Sequence, residues 1–266
     1  MEAYPSDPYA YASGGGDWKD RFHNIEGVLP LILLIVIAFF VLQFLNIIPC
    51  IIPIGCGGEI NVGVIGIPTP DVENVLTSQE ARFKGINYGV NLPPNYITGD
   101  ALKSFSIIIL QGEPAFDMTV REAIKSWVDG GGKLIVVGDA GSKHPLYANV
   151  AGWSWPSGNG LPVPAQLTGE WINLPDVSYG LNLRFADFNH PIVVGLQKVG
   201  AQLQRPEVVH KVMPKGGKMI VAIDTNEGTY PAVIEGGSGL GTVMYYAYDP
   251  GQTPAMFLAT LEYLGG

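Results

Sequence analysis

An α/β fold with a mainly parallel sheet, an antiparallel extension and one preceding transmembrane helix is predicted by three observations. Val28 to Pro49 is an uncharged, apolar run. Between 106 and 137, a short apolar strand, an amphipathic helix, a triple-glycine turn and a second apolar strand follow one another. From 206 to 248, four β-rich pieces alternate with turn sequences.

The apolar run comes first. A helix rising about 1.5 Å per residue crosses a hydrocarbon layer of roughly 30 Å with about 20 residues, so 28–49 is long enough to span once. Lys19 and Arg21 precede it and no Lys or Arg follows until Arg82. That asymmetry predicts a single-pass membrane protein with a cytoplasmic N-terminus and an extracytoplasmic C-terminal domain. The expected organisation is a polar, flexible tail (1–27), the spanning helix (28–49), a linker (50–59) and one domain (60–266). Cys56, in IPIGCGG, faintly resembles a lipidated cleavage box. Cys50 and Cys56 are otherwise a disulfide pair or two free thiols, and the sequence leaves the three states open.

Within the domain, Ile60–Ile67 reads as a buried strand and Val72–Phe83 as a short helix. Ser106–Gln111 is a second strand. Asp117 is placed to cap a helix that carries Val120, Ile124, Trp127 and Val128 on one face. Gly130, Gly131 and Gly132 end it, and Lys133–Val137 is the next strand, which gives a βαβ crossover and a parallel sheet. Strands at 206–213, 218–224, 229–235 and 242–248 supply the antiparallel extension. Gly236 to Gly241 looks like a phosphate cradle but sits between two strands, where a hairpin turn is expected. Pro254 opens a final helix packed through Phe257, Leu258, Leu261 and Leu264.

Composition narrows the function classes. A net charge of −9 with only 15 Lys plus Arg is unsuited to binding phosphate backbones, so nucleic acid is excluded as a partner. The 2 cysteines both lie before residue 57, which removes a cysteine-based zinc site from the domain. No metal-binding or cofactor motif is present, and no cofactor is expected.

Three blocks then carry a family resemblance: SIIILQGEPAFDMTVREAIKSWVDGGGKLIVVGDAG (106–141), FNHPIVVGL (188–196) and GLGTVMYYAYDPGQTPAMFLATLEYL (239–264). In order and wording they resemble the class I glutamine amidotransferase-like superfamily, in its non-catalytic and trehalose-utilisation-like branches. The resemblance implies a flavodoxin-like three-layer sandwich. It also implies that a catalytic member would carry a Cys nucleophile on the turn after the KLIVV-type strand. Here that turn is Val137-Gly138-Asp139-Ala140-Gly141-Ser142, so glutaminase chemistry by the family route is ruled out.

Other groups near that turn are candidates for a pocket at the strand ends, where open α/β sheets bind ligands: Asp139, Ser142, His144, His190 and Asp249. Ser142 with His144 or His190 as base would be a nucleophilic pair. The structural alternative has Asp139 capping a turn, His144 in a solvated loop, His190 bonding a loop carbonyl and Asp249 making an Asx turn. Trp153, Trp155 and Trp171 are either an exposed platform for sugars or a protein partner, or simply loop filling.

Two functions from different classes follow. The preferred one is a non-enzymatic, membrane-anchored subunit, a pseudoenzyme in contact with lipid whose domain binds other protein subunits or a second copy of itself. The alternative is an anchored hydrolase or carbohydrate-binding protein that uses the pocket near Asp139 and His190.

Overall fold

The computed structural model describes residues 30, 32–38, 59–93, 97–112, 115–154, 160–173, 183–225 and 227–266. The chain divides into two compact units, Met1–Cys56 and Gly57–Gly266. In the first, residues 32–38 are helical and exposed. The expected membrane span, and the single-pass placement with an outward-facing domain that followed from it, are corrected here. Among the described residues no helix is long and apolar enough to cross a membrane. Cys50 and Cys56 lie outside the described residues.

The second unit begins with β1 (Ile60–Gly66), which is buried almost throughout, as a strand covered on both faces must be. Val72–Phe83, expected as one helix, is two: α1 (Pro70–Thr77) and α2 (Gln79–Phe83). Ser78 separates them because its backbone is extended (ψ 155°) and its side chain accepts from the Ala81 amide at 3.1 Å. A serine that bonds the backbone in this way favours a cap over a helix interior. Next come β2 (Ile86–Leu92), a single turn α3 (Gly99–Leu102) and β3 (Ile107–Gln111).

The central crossover follows the pattern in the sequence. Asp117 caps α4 (Met118–Asp129) by accepting from the Val120 amide at 2.9 Å, and Val120, Ile124 and Val128 are buried. The glycine turn leads into β4 (Lys133–Val137), parallel to β3. A short hairpin of β5 (Lys143–His144) and β6 (Tyr147–Ala151) precedes β7 (Ala165–Asn173). The chain continues through β8 (Leu183–Phe185), α5 (Pro191–Lys198), β9 (Val208–Pro214), β10 (Lys218–Thr225), β11 (Gly228–Ser238) and β12 (Gly241–Tyr246). It ends on α6 (Pro254–Gly265), which buries Phe257, Leu258, Leu261 and Leu264 as expected.

The main sheet has eight strands in the order β2-β1-β3-β4-β12-β11-β10-β8. Its β2-to-β12 half is parallel and its β12-to-β8 half antiparallel. The expected hairpin turn falls within Gly236 to Gly241: Gly239 and Leu240 join β11 to β12, with Ser238 opposite Gly241. One predicted strand goes elsewhere: β9 leaves the sheet and pairs with β7 as a separate antiparallel ribbon.

The polar contacts inside the core anchor α6. Tyr246 Oη lies 2.6 Å from Thr260 Oγ1, and Tyr248 Oη lies 3.0 Å from Thr253 Oγ1. Burial pushes both phenols well above their ordinary pKa. They therefore stay neutral and pack as apolar bodies with a bonded tip.

Candidate functional site

β1, β3 and β4 end side by side, and the chain reverses its direction of growth across the sheet between β1 and β3. Such a reversal opens a crevice beyond the carboxyl ends of the strands. Two adjoining chambers occupy that end. The larger, of about 810 Å³, is lined by Asp139, Ser142, Lys143, Trp153, Gln166, Trp171 and His210. The smaller, of about 260 Å³, shares Asp139, Trp171 and His210 and adds Thr69, Gln111, Glu207 and Asp249.

The β7–β9 ribbon forms the wall between them. Trp171 on β7 lies directly opposite His210 on β9, and their rings meet with centroids 3.6 Å apart, tilted by 40°. The His210 amide donates to Ala247 O at 2.6 Å, while the Gly138 amide donates to Tyr246 O at 2.8 Å. The end of β12 thus holds the ribbon and the β4 turn together. Burial pushes the His210 imidazole down, and the Asp139 carboxylate offsets this only in part. The ring is kept in its neutral form beside Trp171, a residue that is 57% exposed.

Asp139 is the side chain the β4 turn presents. Its carboxylate stands 3.9 Å from the Lys143 ammonium and accepts no hydrogen bond among the described residues. Ser142 is buried, and its Oγ has no hydrogen-bond partner among the described residues. Neither histidine named as its base is bonded to it. His144 is buried in β5, with Nδ1 accepting from the Leu146 amide at 3.1 Å, and it lines neither chamber. Asp249 lines the smaller chamber and accepts from the Gly251 amide at 2.9 Å, an Asx-type turn.

His190 is away from both chambers. It is the N-cap of α5: Nδ1 accepts from the Ile192 amide at 3.3 Å, so Nε2 carries the proton and faces Glu235 Oε2 at 3.2 Å. Its ring also meets Tyr263 edge-on at 5.0 Å. We expect His190→Ala to lower stability by about 1 kcal/mol through loss of the cap while leaving ligand affinity at the crevice unchanged, as denaturant titration and a binding isotherm will read.

The tryptophans divide. Trp153 is buried, donates Nε1–H to Ala140 O at 2.7 Å and packs edge-on against Tyr245 at 5.4 Å, so it forms a wall and offers no platform. Trp171 is the exposed one. Trp155 lies outside the described residues. Sequence reasoning missed His210 and Gln111. With 206–213 read as a strand of the main sheet, nothing pointed to His210, and Gln111 was only the last letter of an apolar strand. Among the described residues, no group of three or more His, Cys, Asp and Glu side chains is arranged to hold a metal ion.

These features define an α/β domain with a two-chambered crevice at its strand ends. No protein-family model matches the chain, and no curated protein does. Solved structures do. A cytoplasmic protein from Salmonella typhimurium LT2 aligns with a TM-score of 0.52 at 14% identity, over 76% of this chain and 96% of its own. A second cytoplasmic protein from Salmonella typhimurium aligns at 0.53 and 14%, over 76% and 98%. A beta-galactosidase from Bacillus circulans sp. alkalophilus aligns at 0.53 and 13%, over 76% of this chain and 30% of the enzyme. At such identities the likeness is one of fold.

Proposed function

We propose that this chain is a non-enzymatic binding domain of the amidotransferase-like kind, whose strand-end crevice takes a small polar ligand of the carbohydrate class. The observation that carries this is the exposed Trp171 face, backed by His210, at the edge of the 810 Å³ chamber. An aromatic face stacks on the C–H face of a sugar ring, and nearby polar groups such as Asp139 and Gln166 bond its hydroxyls. Catalysis is disfavoured by the same residues. Acyl transfer needs a nucleophile bonded to a base; the turn after β4 has no cysteine, and Ser142 Oγ is buried without a partner among the described residues. The protein-docking reading retains only Trp171 of the two candidate tryptophans that are described, because Trp153 is buried in the core.

The test is a titration with neutral monosaccharides and disaccharides, read by tryptophan fluorescence, in the natural protein and in Trp171→Ala. We expect saturable quenching by at least one sugar and an affinity about tenfold lower in the variant, with an unchanged melting temperature. If no sugar gives a saturable change, the carbohydrate reading is wrong.

A further inference from the structure

The smaller chamber differs in charge from the larger one. Asp139, Glu207 and Asp249 all line it, and neither Lys nor Arg does. Its one nitrogenous base, His210, is held neutral by burial, so among the described lining residues no positive side chain offsets the three carboxylates, and the Lys143 ammonium of the larger chamber reaches only Asp139. None of the three is committed elsewhere by a close ion pair among the described residues. Asp139 has only the Lys143 ammonium at 3.9 Å, Asp249 accepts one backbone amide, and the Glu207 carboxylate has no partner, although its amide is held by Gln252 Oε1 at 3.0 Å.

A second, independent feature lies in the same chamber. Gln111, at the end of β3, is 3% exposed; its Nε2 is bonded to Thr69 Oγ1 at 3.0 Å and its Oε1 has no partner among the described residues. Turning the amide over leaves one polar end unmet in either orientation. An unpaired buried carbonyl costs free energy unless something donates to it. Gly112 follows with φ 72°, and a Cβ there would meet Ile67 O at 2.2 Å, so the strand end is kept close to β1 at the chamber's edge. Trp171 supplies an aromatic face on the other side.

A group that donates several hydrogen bonds, carries positive charge and tolerates an aromatic face satisfies all of these at once. We infer that the smaller chamber binds the ammonium group of a small organic amine, held by Asp139, Glu207 and Gln111 against the Trp171 ring. This rests on the reading that the crevice is a small-molecule site, and it makes the preferred ligand an amino sugar or related amine in place of a neutral sugar. A compact ammonium suits the chamber because it presents three donors to separate acceptors, and its charge is attracted to the π face. A metal ion fits poorly, since among the described residues no group of three or more His, Cys, Asp and Glu side chains could hold one, whereas the ammonium calls on two carboxylates and one amide oxygen.

The experiment compares glucosamine, glucose and 1,4-diaminobutane on the full chain by calorimetry, at low and high salt, with Asp139→Asn and Glu207→Gln as isosteric variants. The expected result is that glucosamine binds at least about tenfold more tightly than glucose, that the preference shrinks in salt and that each variant reduces it. A lower affinity for 1,4-diaminobutane than for glucosamine assigns the sugar ring to Trp171; equal affinities assign recognition to the ammonium alone, and both support the inference. Glucose binding as tightly as glucosamine overturns it while leaving the carbohydrate reading standing. No binding by any of the three overturns both.

Discussion

Replacing Arg121 by Met will lower the stability of the domain by about 3 kcal/mol and loosen the larger chamber. Arg121 is a charged side chain in the core, 1% exposed, on the inward face of α4. Its fork reaches three backbone carbonyls: Nε donates to Phe116 O at 3.2 Å, Nη2 to Lys143 O at 2.7 Å and Nη1 to Gly152 O at 3.4 Å. Burial pushes its pKa down from the ordinary value, but from so high a start that the charge persists. Met fills much of the same volume and donates nothing, so three carbonyls lose the Arg121 donor, and of these Lys143 O keeps the Phe116 amide at 3.1 Å. Each such loss is worth about 1 kcal/mol or more in a buried setting. Phe116 precedes α4, while Lys143 and Gly152 flank the β5–β6 hairpin and line the chamber, so Arg121 ties the two segments together. Denaturant unfolding should therefore show a lower midpoint, and ligand affinity should fall as well. Arg121→Lys should recover part of the stability, since one ammonium cannot reproduce a planar fork. A midpoint equal to that of the natural protein would show that water or neighbouring groups replace all three bonds.

Gly138→Ala acts on the crevice directly. Gly138 has φ 60°, a left-handed conformation that costs a residue with a Cβ about 1 kcal/mol. The added Cβ would also stand 2.7 Å from His210 Nε2, closer than van der Waals contact allows. The imidazole is stacked on Trp171 and its backbone is tied to Ala247, so it moves only by disturbing that stack. We expect about 2 kcal/mol of destabilisation, a changed Trp171 emission without any ligand present, and at least a tenfold loss of sugar affinity. Unchanged emission with full binding would mean that the β4 turn relaxes without involving the ribbon.

How legible these features were depends on the range of the interactions behind them. The α4 helix was read correctly because Asp117, the spacing of Val120, Ile124 and Val128, and the three glycines act within a few turns of one another. The last helix was legible for the same reason. The break at Ser78 was a near miss: a serine inside an amphipathic pattern is read as helix until its side chain is seen capping the next segment. Strand partners were harder to read. Val208–Pro214 has the composition of a sheet strand, yet its pairing with Ala165–Asn173 depends on a connection more than thirty residues long, which no local pattern encodes. That misplaced strand hid His210, the residue around which the crevice is organised.

The candidate residues separate along the same line. Asp139 and Asp249 were placed at the crevice by the rule that ligands bind beyond the strand ends, and both line it. His190, taken from a family block, is a helix cap bonded to Glu235, because the residues that follow Pro191 turn immediately into a helix whose first amides need an acceptor. Trp153 and Trp171 were indistinguishable as letters; one is a core wall bonded to Ala140 O and packed on Tyr245, and the other is an exposed face stacked on His210.

The sequence by itself determined the α/β class, the central crossover, the acidic balance and the absence of a cysteine nucleophile, all of which depend on composition or on contacts a few residues apart. Only the tertiary structure decided which strands share a sheet, which candidate tryptophan is exposed and that Gln111, its Oε1 unmet among the described residues, lines one chamber with three carboxylates. Those outcomes are set by side chains brought together from distant segments, where burial decides whether a polar group is a cap, a wall or a site.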